Sequence, residues 1–244
     1  MNAPRASSLA GVEIDRRRFV LLPDRQVAYL VVSKVACTSI KTALGRAYGI
    51  RPEVPHAIHG REHFRYCRGE LPAASRHYFT FAFVRDPFDR LLSCYRDKVL
   101  YREGHPLYPE PYFRHYPYPI TPNMPFRDFV RVIAEIPDRH ADRHFKSQYA
   151  VLHRQGVLLP DFVGRFETLA RDWRVVAERC GFERVLDHLH PSAATTPAVC
   201  DLESYFSDPE LVGIVSRRYR RDLEAFGYES AYPACLLEAS ASNV

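Results

Sequence analysis

Two lysines and two hydroxyl residues within eight positions open the chemistry of this chain: Ser33-Lys34-Val35-Ala36-Cys37-Thr38-Ser39-Ile40-Lys41. The apolar run Leu30-Val31-Val32 reads as a strand that delivers the chain into this loop, and a helix is expected just beyond it. A strand that feeds a helix N-terminus makes an anion site, because the first helical N–H groups lack intrahelical partners and the helix dipole adds partial positive charge. Thr38 and Ser39 could cap that helix or donate hydroxyl hydrogen bonds to phosphate oxygens. Lys34 and Lys41 bring full charges, against the alternative of an ordinary turn with exposed lysines. The chain has 34 basic residues but only four lysines (34, 41, 98 and 146), so two compact ammonium groups in one loop stand out against an arginine background.

A triphosphate loop of the Walker A type needs G-x-x-x-x-G-K-[ST], with glycines that let the backbone wrap the phosphates. No Gly lies between Leu30 and Leu44, and Lys34 opens the loop where a Walker lysine would close it. The pattern disfavours ATP or GTP hydrolysis and keeps a phosphate-bearing ligand.

A second segment adds to the first. Tyr78-Phe79-Thr80-Phe81-Ala82-Phe83-Val84 reads as a buried strand that runs into Arg85-Asp86-Pro87-Phe88-Asp89-Arg90-Leu91-Leu92-Ser93-Cys94-Tyr95-Arg96-Asp97-Lys98. Asp86 suits an N-cap and Pro87 a first helical position. Leu91, Leu92, Tyr95 and Val99 recur at helical spacing and mark a core face. Arg85 at the strand end and Ser93 two turns into the helix could meet on one small anion, with a pairing of Arg85 to Asp89 as the alternative.

Together these segments resemble the two cofactor-binding motifs of the sulfotransferases that use 3′-phosphoadenosine-5′-phosphosulfate (PAPS). The likeness is to the Golgi-type carbohydrate sulfotransferases, chondroitin- and heparan-type enzymes included, and to their bacterial relatives. The family's P-K-V-A-C-T-S-like loop appears as Ser33 to Ser39, with Ser33 in place of the usual Pro. Its F-V-R-[DE]-P-F-x-R-L-x-S-x-Y-R segment appears as Phe83 to Arg96, continuing to Lys98. Asp161-Phe162-Val163-Gly164-Arg165-Phe166-Glu167-Thr168-Leu169 looks like the third strand and helix start, and Tyr219, Asp222 and Phe226-Gly227-Tyr228 look like the closing helix. The resemblance spans roughly residues 27 to 228. It implies that Lys34, Val35, Ala36, Cys37, Thr38, Ser39 and Lys41 hold the 5′-phosphosulfate, that Arg85 and Ser93 hold the 3′-phosphate, and that Arg165 faces the cofactor. The product would be adenosine 3′,5′-bisphosphate.

Sulfuryl transfer to a hydroxyl needs a base for the acceptor proton and positive charge on the departing bridging oxygen. By resemblance Lys34 serves the leaving oxygen. Three of the eleven histidines fall in Pro55-His56-Ala57-Ile58-His59-Gly60-Arg61-Glu62-His63-Phe64, between the two motifs. Histidine is the natural base near neutral pH. His59 is the first choice, because His-Gly here looks like the stretch that carries the base in heparan-type relatives; His63 and Glu62 stand behind it. Asp142-Arg143-His144-Phe145-Lys146-Ser147-Gln148-Tyr149 resembles the family's D-x-H-[WF]-x-x-Q block beside the active site. There Asp142 could orient His144, a rival base, and Arg143 or Lys146 could meet acceptor anions; a purely structural Asp–His pair is the other reading. Glu167 is expected to brace a turn and to stay outside the catalytic set.

The elements that must position these groups follow from pattern: strand 27–33, helix 39–48, strand 79–84, helices 87–100 and 126–136, strand 161–166, and helices 168–180 and 208–225. Strands alternating with helices predict one α/β domain, a P-loop-NTPase-like three-layer fold with a central parallel sheet flanked by helices. Ligands of such sheets bind at the carboxyl ends of the strands, where Lys34 and Arg85 fall. The core is expected over about residues 20–230, with the first dozen residues and the tail after 232 flexible. Residues 104–125 hold seven prolines and five aromatics, which preclude a regular helix and argue against disorder. They read as an acceptor-binding lid to which Arg114 contributes, or as a packed surface loop.

A length of 244 residues, 46% apolar content and net charge +5 suit one globular domain with an anionic cofactor, and an acidic polysaccharide among the carbohydrate acceptors. The charge falls short of a nucleic-acid signature. No apolar run is long enough to span a membrane and the start carries no secretory h-region. Six scattered cysteines without C-x-x-C pairs predict reduced thiols, no metal site and a cytoplasmic home, with a Golgi lumen as the alternative if the chain is a trimmed catalytic domain. The expected function is PAPS-dependent sulfation of a carbohydrate hydroxyl. A kinase-like phosphotransferase on the same scaffold and an inactive glycan-binding or partner-binding module are the alternatives.

Overall fold

The structure is a computed structural model that describes residues 18–60, 62–101, 103, 110–187 and 199–229. The expected flexible ends and residues 104–109 of the Pro-rich stretch lie outside the described residues. In chain order the elements begin with β1 (Arg18–Leu22), β2 (Val27–Leu30), α1 (Cys37–Arg46), β3 (Arg65–Arg68), β4 (Phe79–Val84), α2 (Pro87–Lys98) and α3 (Phe126–Ala134). They continue with α4 (Gln148–Leu152), the short hairpin β5 (His153–Arg154) and β6 (Val157–Leu158), β7 (Phe162–Arg165), α5 (Leu169–Cys180), α6 (Val199–Tyr205), α7 (Pro209–Arg218) and α8 (Arg220–Phe226). No helix among the described residues is long and apolar enough to cross a membrane.

Five strands form one sheet in the order β3-β1-β2-β4-β7. The three that carry the site are parallel, with Val27 opposite Phe79 and Val84 opposite Arg165. These are the three strands expected from the sequence, and two unexpected strands extend the parallel sheet on the other side: β1 runs antiparallel to both β2 and β3, with Phe19 opposite Leu30 and opposite Cys67. The reason is chain length. Only the 3₁₀ turn Pro23–Arg25 and Gln26 join β1 to β2, enough for a hairpin and far too little for a parallel crossover. The expected helix 208–225 is also two helices, broken at Tyr219, whose φ of −112° and ψ of 20° leave the helical region.

Two apolar clusters hold the molecule. The first joins the sheet (Tyr29, Phe81, Phe83) to Ile40 and Leu44 of α1 and Trp173 and Val176 of α5. The second contains no strand residue: Phe88, Leu91 and Leu92 of α2 meet Phe129 and Ile133 of α3, Val212 and Val215 of α7, and Phe145. The described part of the Pro-rich stretch contributes to this second cluster, with Phe113 buried and Tyr112, Tyr116 and Tyr118 packed on it. These aromatics are therefore anchored rather than free.

Close approach explains one glycine. A Cβ on Gly164 would lie 2.4 Å from the Phe83 ring and 3.0 Å from Asp172 Cβ. We predict that Gly164→Ala destabilises the fold by about 2 kcal/mol, as overpacking of a filled core does. Urea unfolding checks this; an unchanged midpoint would contradict it.

Candidate functional site

The phosphate-type loop leaves β2 at Leu30 and bends without glycine. Lys34 and Ala36 take left-handed backbone angles (φ 68° and 47°), while Val35 between them is fully buried. A left-handed conformation is uncommon for residues with a Cβ and persists where the surroundings over-determine it. The buried Val35 side chain is such an anchor. The expected caps are corrected here: α1 starts at Cys37, its N-cap is Ala36, and no side chain caps it. Neither Thr38 nor Ser39 can occupy the cap position because both already lie inside the helix. The N-cap residue itself therefore offers no side-chain acceptor to the first N–H groups of α1.

Both motif cations are ion-paired to α2. Lys34 Nζ lies 2.8 Å from Asp97 Oδ2, and Lys98 Nζ lies 3.1 Å from the same oxygen. Asp97 titrates well below the ordinary range: burial alone would raise it, and the two ammonium groups outweigh that. Arg85 Nε donates to Asp89 Oδ2 at 2.7 Å, the pairing that the alternative reading allowed, and its guanidinium stacks 4.1 Å over the Phe166 ring. Arg85 Nη1 also donates to the Lys34 carbonyl at 3.2 Å, which joins the two motifs directly. Asp89, Ser93 and Asp97 are four residues apart, so they form one stripe along α2.

The supports are buried and specific. Asp86 caps α2 as expected, accepting from Phe88 N and Asp89 N. Gln148 makes two hydrogen bonds with the Arg85 backbone, accepting from its N–H at 3.0 Å and donating to its carbonyl at 2.8 Å. Glu167 does brace a turn: it accepts from Asp86 N and from the Tyr228 hydroxyl. Arg90, only 1% exposed, donates to the carbonyls of Ser33, Arg143 and Lys146.

His59 reaches the loop from the 3₁₀ turn Pro55–His59. Its Nε2 lies 3.0 Å from Thr38 Oγ1 and its Nδ1 2.9 Å from Lys41 Nζ. An ammonium can only donate, so Nδ1 accepts from Lys41 and Nε2–H donates to Thr38 in the neutral ring. Lys41 is buried, and burial lowers it to about 8, with the Arg18 and Arg143 charges adding to the fall and Cys37 opposing it.

A second histidine has the opposite arrangement. His144 Nδ1 lies 2.7 Å from Asp142 Oδ1, which fixes the proton on Nδ1 and leaves Nε2 with its lone pair. Tyr112 covers this pair, its ring edge-on to the imidazole with centroids 5.0 Å apart and its hydroxyl 3.3 Å from Asp142 Oδ2. Tyr112 also lies under Lys98 Nζ, 4.8 Å from the ring centroid, so this corner adjoins the Lys34–Asp97 pair. Burial draws His144 down to about 4; Asp142 pulls the other way, and the Arg143 and Lys98 charges reinforce the fall.

The remaining expected residues are dispersed. His63 faces Glu62 at 3.5 Å, and Arg114 pairs with Glu110 at 2.6 Å on the surface. Arg165 turns to the end of α8, donating to the Phe226 carbonyl and lying 4.7 Å over the Tyr228 ring. That closing contact, rather than the cofactor loop, occupies its guanidinium. Lys146 is 3% exposed and lies inside the fold, whereas Arg143 is exposed and electrostatically coupled to Lys41 and His144. Of the two residues expected to meet acceptor anions, Arg143 alone is solvent-exposed. Asp97, Lys98 and Arg90 had no expected role, and Tyr112 was expected only as one of the lid aromatics; for Asp97 the four-residue spacing from Asp89 through Ser93 was the available signal.

Residues 17–229 match the model of the sulfotransferase family, and the chain belongs to that family. Carbohydrate sulfotransferase 14 of Mus musculus is 33% identical over 174 residues, covering 66% of this chain and 46% of the relative. Carbohydrate sulfotransferase 10 of Gallus gallus is 27% identical over 246 residues, covering 86% of this chain and 66% of the relative. The chain thus spans between about half and two thirds of these curated relatives. No solved structure matches it.

The His144 environment sets a pH response. An unfolded histidine binds its proton near 6.5 and the folded one near 4. The stability this contributes is present in full above 6.5 and is lost as pH falls toward 4. We predict that the His144 ring signals in NMR show no midpoint between about pH 5 and 8. A midpoint near 6.5 would contradict the burial and pairing described.

Proposed function

We propose that this chain is an enzyme that transfers a sulfuryl group from PAPS to a hydroxyl of a carbohydrate. One observation carries the reading: Lys34 and Arg85, from motifs 51 residues apart, are joined by a hydrogen bond beside the side-chain-uncapped N-terminus of α1. The residues fit a donor with separated anionic groups. The α1 N–H groups, Thr38, Ser39 and Lys41 would hold the 5′-phosphosulfate, and Arg85 with Ser93 the 3′-phosphate. When bound, PAPS supplies an activated sulfuryl group on a stable phosphate leaving group. The carbohydrate class of acceptor is supported by the names of the matched relatives.

The side chains divide the work by charge. Lys34 neutralises charge that develops on the departing phosphate oxygen, the task that metals or arginines perform in phosphoryl transfer. The acceptor proton needs a neutral base with an oriented lone pair. His59 has the wrong tautomer for this: Nε2 carries the proton and Nδ1 is held by Lys41. His144 has the right one, with Asp142 steadying Nδ1–H and the charge that forms. We therefore assign the base to His144 and give His59 the positioning of Thr38 and Lys41. Exposed Arg143 beside the base suits an acidic saccharide acceptor.

Radiolabelled donor and a panel of glycans test the reading by transfer of label. Lys34→Ala and His144→Ala should each lower kcat by about 100-fold or more while adenosine 3′,5′-bisphosphate still binds. His59→Ala should act mainly on donor affinity. Near-normal turnover of Lys34→Ala would reject its role, and equal kcat losses at His59 with normal turnover at His144→Ala would return the base to His59. Label transfer from ATP with Mg²⁺ in place of PAPS would favour the kinase-like alternative.

A further inference from the structure

The Lys34–Asp97 contact poses a problem for the proposed chemistry, because a lysine neutralised by a carboxylate cannot also neutralise a leaving phosphate. We propose that Asp97 is a positioning residue: it holds the Lys34 ammonium while the site is empty, releases it to the donor's phosphosulfate, and stays bound to Lys98. This inference rests on the proposed PAPS reading and concerns how that site is loaded.

Four features support an exchange at this position. The first is that only the Lys34 side chain can move. Its backbone is held by the buried Val35 that follows it, and its carbonyl accepts from Arg85 Nη1. The second is that Asp97 is not orphaned by the move. Its Oδ2 is 3.1 Å from Lys98 Nζ, on a side chain only 4% exposed, so the carboxylate keeps a buried cation after Lys34 leaves. Leaving a buried charge unpaired is what makes breaking such pairs expensive, and Lys98 removes most of that penalty.

The third feature is repulsion. Asp97 follows Ser93 by one helical turn on the same face of α2. A donor held by Arg85 with Ser93 and by the loop therefore brings negative charge alongside the Asp97 carboxylate, and the Lys34 ammonium is drawn from that carboxylate to the donor's phosphosulfate. The fourth is the contrast with Asp89. Its second oxygen, Oδ1, is buried without a hydrogen-bond partner among the described residues, so Asp89 depends on Arg85 for its charge balance. Arg85 has a planar fork and can serve Asp89 and an incoming phosphate with different nitrogens, which a lysine cannot do. One α2 carboxylate thus steadies its cation, and the other lends its cation out.

The lysine count makes the test direct. With only four lysines in the chain, ¹⁵N-lysine labelling gives four side-chain signals, assigned by single Lys→Arg replacements. The scalar coupling of each ammonium nitrogen to the Asp97 carboxyl carbon reports its ion pair in the intact wild-type protein. On saturation with adenosine 3′,5′-bisphosphate and sulfate, the Lys34–Asp97 coupling should vanish and the Lys98–Asp97 coupling should remain. Persistence of the Lys34 coupling, or loss of both, would overturn the exchange.

Calorimetry adds a second measurement with an unusual sign. Asp97→Asn removes the competitor for Lys34, so the Kd for the bisphosphate should fall about threefold to tenfold. Asp89→Asn frees the Arg85 fork and should raise Kd instead. An unchanged or higher Kd for folded Asp97→Asn overturns the proposal while leaving the PAPS reading intact. A wild-type protein that binds no bisphosphate at all overturns both.

Discussion

Arg90 is the interaction on which the arrangement of the site depends. Its guanidinium is buried and is satisfied by three backbone carbonyls, those of Ser33, Arg143 and Lys146. An arginine has a fork wide enough to bond several acceptors at once and stays charged in the interior. The consequence is geometric. The phosphate-type loop, helix α2 and the segment that carries Asp142 and His144 are fixed to one another through a single side chain. Gln148 repeats the device one step along, binding the Arg85 backbone through both its amide atoms. Its own N–H is held by the buried Asp222, whose carboxyl burial pushes up to about 6 while its two backbone bonds to Gln148 and Tyr149 pull the other way.

On that frame the site is an economy of few lysines and many carboxylates. Every cation proposed to meet the donor has a partner in the structure: Lys34 has Asp97, Arg85 has Asp89, and Lys41 has His59. Such pairing keeps charges from lying uncompensated in a partly buried cleft. It also means that binding an anion is an exchange of partners rather than the filling of a bare hole. Strength then depends on what each displaced partner retains. Asp97 retains Lys98, and His59, exposed to solvent, loses little by a shift of Lys41 or Thr38.

Much of this was legible in the sequence where local chemistry decides the outcome. Helix α2 starts at Pro87 behind an Asp86 cap as its residue types require, and the strand before it is β4, flanked by β2 and β7. Where long-range contacts decide, the sequence was silent. β3, Arg-Tyr-Cys-Arg, shows no buried face and exists as a strand only because β1 pairs with it. Strand β2 was expected to run to 33 and ends at Leu30, and the helix expected over 39–48 is shifted two residues toward the N-terminus, starting behind the left-handed Ala36. Of the histidines, the resemblance of its His-Gly to the heparan-type relatives favoured His59. Its contact with Lys41, 18 residues away, decides its tautomer, and no pattern in the chain announces that contact. Asp142 and His144 were readable as a pair because they are two residues apart, but the burial that keeps His144 neutral is a property of Tyr112 and the second apolar cluster around it.

The central claim is that this cleft is built for a nucleotide with a 3′-phosphate and a 5′-anion. Calorimetric titration with adenosine 3′,5′-bisphosphate, beside AMP and ATP–Mg²⁺, tests it most directly. The account predicts a micromolar or tighter Kd for the bisphosphate, about −8 kcal/mol or better, and a loss of at least about tenfold when the 3′-phosphate is missing. Binding of ATP–Mg²⁺ in preference to the bisphosphate, or equal affinity for AMP, would contradict it.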